Sequence, residues 1–225
     1  MRKWLSFLTT GVFLTVIPLF AQDYKKESFG IDVSHHNGKI NWKQVPDLDF
    51  VYVKATEGAT YVDPMYKQNI EGAKARKLRV GAYHYFRTTS SVQKQFENYK
   101  QHVKKSDIDI IPMVDVEECK KWPAVQFQDS LMRFIQLVKS HYGRSPMIYS
   151  VNTFYNKYCA PRFNNYHLMI GRYGKNEPII KGKGTYTIWQ QSQKGKISGI
   201  SKNVDIDVFH RKVSVTDIIL VKNEE

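Results

Sequence analysis

The chain has little cysteine and none of the compositions that mark non-globular proteins. Only two of its 225 residues are cysteine, which excludes a small domain held together by many disulfides. The glycine and proline contents exclude a collagen-like repeat, and no persistent a/d heptad pattern predicts a long coiled coil. A hydrophobic fraction of 42% also excludes a disordered tail. The length suits one large domain or two small ones.

Acidic residues are few compared with basic ones. The chain has 21 Asp and Glu against 34 Lys and Arg, a formal net charge of +13. A surface of this sign favours an anionic partner. Nucleic acid, anionic lipid and an anionic cell-wall polymer all fit this charge, so charge alone leaves three classes of partner open.

Long apolar runs are absent beyond the N-terminus. There, Arg2 and Lys3 precede a mostly apolar segment at residues 4–20, which ends at Ala21. This order predicts a signal peptide cleaved after Ala21 and a secreted or periplasmic protein; an uncleaved membrane anchor is the alternative. Removing residues 1–21 leaves 32 basic and 21 acidic residues, a net charge of +11. Export argues against nucleic acid and favours an extracytoplasmic polymer as the partner.

The two cysteines, Cys119 and Cys159, leave two alternatives open. In an exported protein they can pair, and the resulting disulfide would contribute about 4 kcal/mol in the chain-entropy model. Two buried free thiols are the other alternative, because the sequence does not show whether the two Cβ atoms come close enough to be bridged.

Short apolar runs of strand length recur after a polar lead-in at residues 22–28. The clearest helical pattern is Ala124–Tyr142, which begins after Pro123 and ends at Gly143. Weaker helical patterns are Pro64–Lys77 and Ser91–Lys104. The eight predicted strands are Phe29–Val33, Phe50–Ala55, Arg79–Phe86, Ile108–Val116, Pro146–Val151, His167–Tyr173, Tyr186–Gln191 and Val204–Phe209.

The order of these elements predicts the fold class. Strands and helices alternate as far as about residue 160, which favours right-handed βαβ units and a parallel sheet. Beyond that point the gaps between apolar runs are too short for full helices. We therefore expect an α/β fold, a TIM-like β/α barrel of eight strands with a degenerate second half. No Pro/Gly/Ser-rich linker divides the chain, so residues 29–221 are expected to form a single catalytic domain.

Alternation along the predicted strands separates aliphatic residues from carboxylates. Asp32 alternates with Ile31 and Val33, and carboxylates alternate with valines in two further runs. Alternate residues of a barrel strand face the interior, where a carboxylate is costly unless it is solvated or used. Four such acids are expected late in their strands, at the C-terminal mouth where barrel enzymes place their chemistry. They are Asp32, Asp115, Glu117 and Asp205.

Two of these acids form a pair suited to glycoside hydrolysis. Asp115 and Glu117 are two residues apart on one strand and share a face, so repulsion should raise the pKa of one of them. The protonated member can donate a proton at neutral pH, while the ionised member stabilises positive charge. Four aromatic residues are expected to offer flat faces to sugar rings, namely Tyr83, Tyr85, Tyr149 and Trp189.

Six motifs occur in a fixed order along the chain. They are DVSHHNG from Asp32, VKATEG from Val53, GAYHYF from Gly81, PMVDVE from Pro112, WQ from Trp189 and VDIDVF from Val204. In this order and spacing the sequence resembles glycoside hydrolase family 25, the secreted N-acetylmuramidases or lysozymes. The resemblance covers about residues 29–210.

The resemblance implies a barrel of eight strands with about five helices, and cleavage of the β-1,4 bond between N-acetylmuramic acid and N-acetylglucosamine in peptidoglycan. By motif position it makes Glu117 the general acid and Asp115 the partner that orients the substrate N-acetyl group or stabilises charge. Asp32 and Asp205 become flanking carboxylates. Asp207 stands where the family often has Asn, and we expect it to contribute to substrate binding and to add negative charge near Asp205.

The resemblance also implies partners. Peptidoglycan is the expected substrate and the anionic cell wall the expected surface, with no nucleic acid and no partner protein. No metal and no organic cofactor is implied. The stereochemical course stays open among inversion, retention and participation by the substrate's own acetamido group.

Two other classes of protein remain as alternatives. His35 and His36 lie near acids and raise the possibility of a metal-dependent hydrolase. However, adjacent histidines on an extended chain point in opposite directions, and no His-Glu-x-x-His or paired Cys/His spacing is present. A non-catalytic wall-binding barrel would keep the charge and the aromatics but would not need the Asp115 and Glu117 pair.

Overall fold

The computed structural model describes residues 29–120 and 122–220. The predicted signal peptide and the polar lead-in lie outside these residues. Within the described ranges, no helix is long and apolar enough to cross a membrane.

The described residues form nine strands and three helices of ten residues or more. The strands are β1 (Phe29–Val33), β2 (Phe50–Glu57), β3 (Tyr61–Val62), β4 (Arg79–Tyr85), β5 (Met113–Asp115), β6 (Met147–Val151), β7 (Leu168–Gly171), β8 (Ile188–Gly195) and β9 (Val204–Phe209). The helices are α1 (Tyr66–Ala75), α2 (Val92–His102), α3 (Ala124–Tyr142) and a short α4 (Asn152–Phe154) that continues as a π-helical turn over Tyr155–Cys159.

Eight of the strands close into a barrel. The sheet order is β1-β9-β8-β7-β6-β5-β4-β2, and β1 pairs with β2 to complete the ring, while β3 folds back onto β2. This confirms the predicted α/β barrel. The second half is degenerate as expected: after the π-helical turn, no helix longer than a 3-10 turn occurs among the described residues. The three long helices and α4 are fewer than the five that the resemblance implied.

The direction of the last strand corrects the prediction. β9 runs antiparallel to both of its neighbours, β8 and β1, whereas the other barrel pairs are parallel. Asp205 was predicted to lie late in its strand, but it is the second residue of β9. Because β9 is reversed, its beginning lies at the end of the barrel where the parallel strands finish. Asp205 therefore still reaches the C-terminal mouth.

The hydrophobic residues divide into an outer layer and a barrel interior. Val33 and Val114 pack outward between the sheet and the helices, as their alternation with Asp32 and Asp115 predicts. A separate interior cluster fills the barrel below the mouth, and its members include Phe50, Tyr52, Met113, Met147, Met169, Ile188 and Phe209. The Phe50 and Phe209 rings make an edge contact with centroids 4.9 Å apart. This packed floor closes the barrel beneath the polar residues.

Helix α3 has the bounds that the sequence predicts. Its apolar stripe is buried at all five predicted positions, Phe127, Leu131, Phe134, Ile135 and Val138. Gly143 ends the helix with a φ of 86°, a left-handed conformation that a residue without a Cβ adopts readily. The helix thus covers the outer face of the sheet behind the strands that carry Tyr83 and Asp115.

The two cysteines are free thiols, and both are buried. Of the two alternatives left by the sequence, the structure has the unpaired one. Cys119 Sγ donates to the carbonyl oxygen of Trp122 at 3.4 Å. Burial raises the pKa of Cys159 to about 12, so this thiol stays protonated and unreactive at neutral pH.

A buried histidine joins β4 to the helical layer. His84 is fully buried, with Nδ1 2.8 Å from Thr56 Oγ1 and Nε2 3.2 Å from Gln95 Oε1. Its ring stacks on Phe134 with centroids 5.0 Å apart. Burial lowers the pKa of His84 to about 4, so the folded protein holds the neutral imidazole.

We expect His84 to make the protein less stable in mild acid. An unfolded histidine has a pKa of about 6.5. Between pH 6.5 and 4, His84 is therefore protonated in the unfolded chain and neutral in the folded chain. The free energy of unfolding should therefore be about 2 kcal/mol lower at pH 5 than at pH 7 because of this residue alone. Urea unfolding at pH 7 and pH 5 measures it, with His84→Gln as the non-titrating comparison. An equal loss of stability in both proteins would contradict the prediction.

Candidate active site

A polar pocket of about 360 Å³ opens at the C-terminal mouth of the barrel. All four of the predicted carboxylates line it: Asp32, Asp115, Glu117 and Asp205. The other lining residues are Ser34, His36, Asn37, Tyr83, Met113, Tyr149, Tyr173, Gln190, Gln193 and Asn203. Six strands or their ends bring these acids and tyrosines together, so the convergence predicted from the sequence is present in the folded chain.

The four acids lie at different depths. Asp115 is the last residue of β5 and is buried, whereas Glu117 lies two residues beyond the strand and is exposed to the pocket. Asp32 is buried near the end of β1, and Asp205 is partly buried at the start of β9. An exposed carboxyl above a buried one places a proton donor where a bound ligand can reach it.

The electrostatics of the pocket favour protonated acids. Burial, followed by repulsion from Glu117, raises the pKa of Asp115 well above its usual range. Burial also raises the pKa of Glu117, and burial and Asp205 raise that of Asp32. Burial raises the pKa of Asp205 to about 6. Carboxyls this close cannot all ionise, so the cluster retains protons at pH values where free carboxylates have lost them.

A chain of hydrogen bonds crosses the floor of the pocket. Gln190 Nε2 donates to Asp32 Oδ2 at 2.7 Å, so Gln190 Oε1 is free to accept. It accepts from Tyr149 Oη at 2.8 Å and from Tyr173 Oη at 3.1 Å. The Tyr149 hydroxyl also hydrogen-bonds the Glu117 carboxyl. This contact opposes the rise in the pKa of Glu117 that burial causes.

The adjacent histidines have different surroundings. His35 Nδ1 lies 2.7 Å from Asp63 Oδ2, and its ring is 3.9 Å from that of His36. His36 lines the pocket, and burial followed by the charge of His35 lowers its pKa. Within residues 29–120 and 122–220, no group of three His, Cys, Asp or Glu side chains has an arrangement that suits a metal ion.

A larger groove of about 740 Å³ lies elsewhere, between the segment after β1 and helix α1. Its lining contains Trp42 and the basic residues Lys39, Lys43 and Arg76, but no carboxylate. Because acid–base chemistry on a glycosidic bond needs carboxyl groups, the smaller pocket at the barrel mouth is the candidate active site.

Comparison with known proteins identifies the family. The family model described as glycosyl hydrolases family 25 matches residues 31–200. The chain belongs to this family. It is therefore a glycoside hydrolase. This assignment replaces the two alternatives from the sequence, a metal-dependent hydrolase and a non-catalytic wall-binding barrel.

The similar proteins include lysozymes from several bacteria. The chain is 28% identical to the autolytic lysozyme of Clostridium acetobutylicum, over 85% of this chain and 59% of that protein. It is 34% identical to the uncharacterized protein YegX of Escherichia coli K12, over 82% of this chain and 70% of that protein. Among solved structures, the bacterial lysozyme of Streptomyces coelicolor aligns with a TM-score of 0.77 at 26% identity, over 86% of this chain and 96% of that one. A family 25 glycosyl hydrolase of Bacillus anthracis aligns with a TM-score of 0.76 at 28% identity, over 82% and 89% of the two chains.

Two of the predicted sugar-binding aromatics of this hydrolase do not line the pocket. Trp189 lies in the outer hydrophobic layer, where its Nε1 donates to the carbonyl oxygen of Arg172 at 2.6 Å. The prediction for Trp189 was wrong because its neighbours Ile188 and Gln190 occupy the inner face of β8. Tyr85 is half-buried at the rim, with Lys54 Nζ 5.2 Å from its ring centroid and Arg87 on the same ring at 4.5 Å. Two cations of the protein therefore already contact this ring.

Two residues of the hydrogen-bond chain were missed by the sequence analysis. Gln190 was quoted only as part of the WQ motif, although it holds Asp32 and accepts from two tyrosines. Tyr173 was the predicted end of a strand, but it lies beyond β7 and is 46% exposed at the rim. Alternation in β8 places Gln190 on the same face as Ile188, but it does not tell which face of the strand is the inner one.

Asp207 lies beneath the pocket and does not line it. It is fully buried on the inner face of β9, and its carboxyl lies beside that of Asp32 above it. Burial, followed by the charges of Asp32 and Asp205, raises the pKa of Asp207 well above its usual range. The raised pKa favours the protonated form, which can donate to Asp32, and so works against the predicted extra negative charge. Because the side chain is buried beneath the pocket, the predicted substrate contact is wrong.

We expect Asp207→Asn to keep most of the activity and to leave the basic limb of the pH profile in place. The amide N–H replaces the carboxylic O–H as a donor to Asp32, and the substitution removes no charge from the protonated form that burial favours. Loss of activity within about threefold is expected, since one hydrogen bond is exchanged for another of similar strength. The pH dependence of kcat/KM measures it. A basic limb that moves to lower pH would show that Asp207 is ionised in the active enzyme.

Proposed function

We propose that this hydrolase is an N-acetylmuramidase that cleaves the β-1,4 bond between N-acetylmuramic acid and N-acetylglucosamine in peptidoglycan. The proposal rests on the mouth pocket, where an exposed Glu117 lies beside a buried Asp115 with two further carboxyls around them. Lysozymes among the similar proteins support the same activity. The positive net charge, +11 once residues 1–21 are removed, fits an anionic wall polymer.

Glu117 is the proposed general acid. The Glu117 side chain opens into the pocket, where a ligand can reach it. The protein atoms around its carboxyl exclude part of the solvent and thereby raise its pKa. The contact with Tyr149 and the charges of Lys54 and Arg87 oppose that rise, so the pKa of Glu117 is set by the balance between burial and these three groups. A proton held on this side chain can pass to the leaving oxygen as the glycosidic bond breaks.

Asp115 is the proposed partner of the acid. One of its oxygens, Oδ1, is shielded from solvent and has no hydrogen-bond partner among the described residues. Burial raises the pKa of Asp115, and an arriving positive charge or N–H donor would stabilise its ionised form. The substrate N-acetyl group offers that N–H, and an oxazolinium-like or oxocarbenium-like state offers the charge.

The remaining lining groups are proposed to hold the sugar. Tyr83 and Tyr149 are the two predicted aromatic residues that do line the pocket, and Tyr173 extends the wall at the rim. Asp32 and Asp205 flank the reacting bond and can accept hydrogen bonds from sugar hydroxyls. Asn203 and Gln193 add further polar groups to the same wall.

Secretion is part of the proposal. Residues 1–21 have the order of a signal peptide, with Arg2 and Lys3 before the apolar segment and Ala21 at the predicted cleavage site. Export would bring the enzyme to the compartment where peptidoglycan lies. N-terminal sequencing of the protein recovered outside the cytoplasm tests this, with residue 22 as the expected first residue.

The clearing of a peptidoglycan suspension tests the activity. We expect the purified protein to lower the turbidity of the suspension and to release soluble glycan fragments. Activity should survive EDTA, since the carboxyl groups carry out the acid–base steps. A protein that binds the wall material but leaves its turbidity unchanged would contradict the proposal.

The pH profile of kcat/KM should be bell-shaped and should depend on Lys54. This buried lysine is held by Glu57 at 2.7 Å, and its charge lowers the pKa of both Asp115 and Glu117. Lys54→Met removes that charge and favours the protonated carboxyls, so both limbs should move to higher pH. Lys54→Arg keeps the charge and serves as the control. Limbs that stay in place in Lys54→Met would show that this cation does not act on the acid pair.

A further inference from the structure

The mouth of the barrel is electrically asymmetric. On the side of β2, β4 and β5 the cations are neutralised within the protein. Lys54 Nζ lies 2.7 Å from Glu57 Oε2, and Arg87 bonds Glu57 through Nε at 2.8 Å and Glu118 through Nη1 at 2.6 Å. Lys120 Nζ lies 3.4 Å from the same Glu118 carboxylate. This side of the mouth therefore offers little free positive charge to a substrate.

The side of β7 and β8 is different. A shallow depression of about 570 Å³ adjoins the carboxylate pocket and shares Tyr173 and Gln193 with it. Its other lining residues are Gly174, Lys175, Gln191, Ser192 and Lys194. We call these seven residues the β7–β8 shelf. Neither of its lysines forms an ion pair among the described residues.

The backbone of the shelf is fixed before any ligand binds. Beyond the end of β7, Arg172 N donates to Gln190 O at 3.2 Å and Gly174 N donates to Gln191 O at 3.0 Å. Trp189 Nε1 donates to Arg172 O at 2.6 Å and so holds the same segment in place. The nearest acid along the chain, Glu177, is occupied by Arg211 at 3.1 Å. A ligand on the shelf thus meets two free ammonium groups on an ordered surface, with little ordering cost.

We propose that the β7–β8 shelf binds the carboxylates of the peptide substituents that muramyl residues carry in peptidoglycan. This inference rests on the proposed muramidase function and names its substrate class as peptide-bearing glycan rather than bare glycan. The ionised members of the carboxyl cluster repel an anionic substituent, and the cations on the side of β2, β4 and β5 are already paired. The shelf is continuous with the pocket, so a substituent that leaves the bound sugar past Tyr173 reaches Lys175 and Lys194.

The experiment separates the charge of the peptide from its bulk. Peptide-bearing glycan strands are compared with the same strands after their stem carboxylates have been converted to amides. The variants are Lys175→Gln with Lys194→Gln, and a matched control, Lys183→Gln with Lys196→Gln, which removes two exposed lysines that do not line the shelf. Both kcat/KM and the affinity of each strand for the protein are measured at low salt.

We expect the wild type to favour the ionised strands roughly threefold to tenfold, the range that two partly exposed charge pairs supply. The shelf variant should lose this preference while it keeps its kcat/KM on the amidated strands, and the control should keep both. No preference in the wild type, or a preference that survives in the shelf variant, would overturn the proposal. If the wild type cleaves neither strand, the muramidase function fails, and the affinities alone still decide whether the shelf selects carboxylates.

Discussion

Replacing Glu117 by Gln should lower kcat by about 10² to 10⁴, the range that general acid catalysis supplies. The amide has the size of the carboxyl and can still hydrogen-bond the Tyr149 hydroxyl, but it has no proton to give to the leaving oxygen. The fold should be intact, because Glu117 is exposed to the pocket and supports no core contact. Release of reducing sugar from soluble peptidoglycan fragments measures the loss, and thermal unfolding checks the fold.

The neighbouring glutamate provides the matched control for this variant. Glu118 accepts from Arg87 at 2.6 Å and from Lys120 at 3.4 Å, and it does not line the pocket. Glu118→Gln makes the same chemical change one residue further along the chain, and we expect kcat within about threefold of the wild type, since a partly exposed ion pair is worth little. Near-wild-type turnover by Glu117→Gln would remove Glu117 from the role of acid.

Replacing Asp115 by Asn should lower kcat by about 10² to 10³, the cost of removing one preorganised electrostatic group from a transition state. Asp115 is buried beside Glu117, and Lys54 opposes the rise in its pKa that burial causes. The uncharged amide cannot stabilise positive charge on the sugar or hold the N–H of the acetamido group as strongly. KM should change little. A rise in KM with unchanged kcat would assign Asp115 to substrate binding alone.

A double comparison reveals how Asp115 acts. Wild type and Asp115→Asn are each measured on glycan whose muramyl residues keep or lack the N-acetyl group. If Asp115 orients the N-acetyl group, loss of the carboxylate or loss of the N-acetyl group each removes the same contribution to kcat. The variant acting on deacetylated glycan should then be little slower than either single change makes it. We expect this non-additive result. Two losses that multiply would show that Asp115 stabilises charge without involving the acetamido group.

The sequence predicts the inner and outer faces of the early strands well. Asp32 alternates with two aliphatic neighbours, and Asp115 alternates with Val114 and Val116 in the same way. Successive residues of a strand point to opposite faces of the sheet, so the valines and the carboxylate between them lie on different faces. The valines pack against the helices, and the carboxylate faces the barrel interior. The barrel and three of its four mouth carboxylates follow from this pattern.

The direction of β9 could not be predicted from the strand itself. Alternation of Asp205 and Asp207 with aliphatic residues is the same in either direction. The connection from Gly195 to Val204 holds the signal: it is too short for a helical crossover, so the two strands it joins must be antiparallel. Only this reversal explains how an acid at the start of a strand reaches the mouth.

The face of β8 was ambiguous for a different reason. Ile188, Trp189 and Gln190 present apolar and polar groups on neighbouring positions, and both faces of the strand are buried. Sequence alone cannot decide which set faces inward when each set contains a large apolar side chain. The structure places Gln190 inward to hold Asp32, which sends Trp189 to the outer layer.

The sugar at the new reducing end of digested peptidoglycan tests the proposed bond most directly. The digest is reduced with borohydride, hydrolysed, and analysed for the two amino-sugar alcohols. Cleavage after N-acetylmuramic acid should yield muramitol from every new end, and Glu117→Gln should yield at least about a hundredfold less in the same time. Glucosaminitol in its place would show that the enzyme cuts the other glycosidic bond and would contradict the proposed muramidase function.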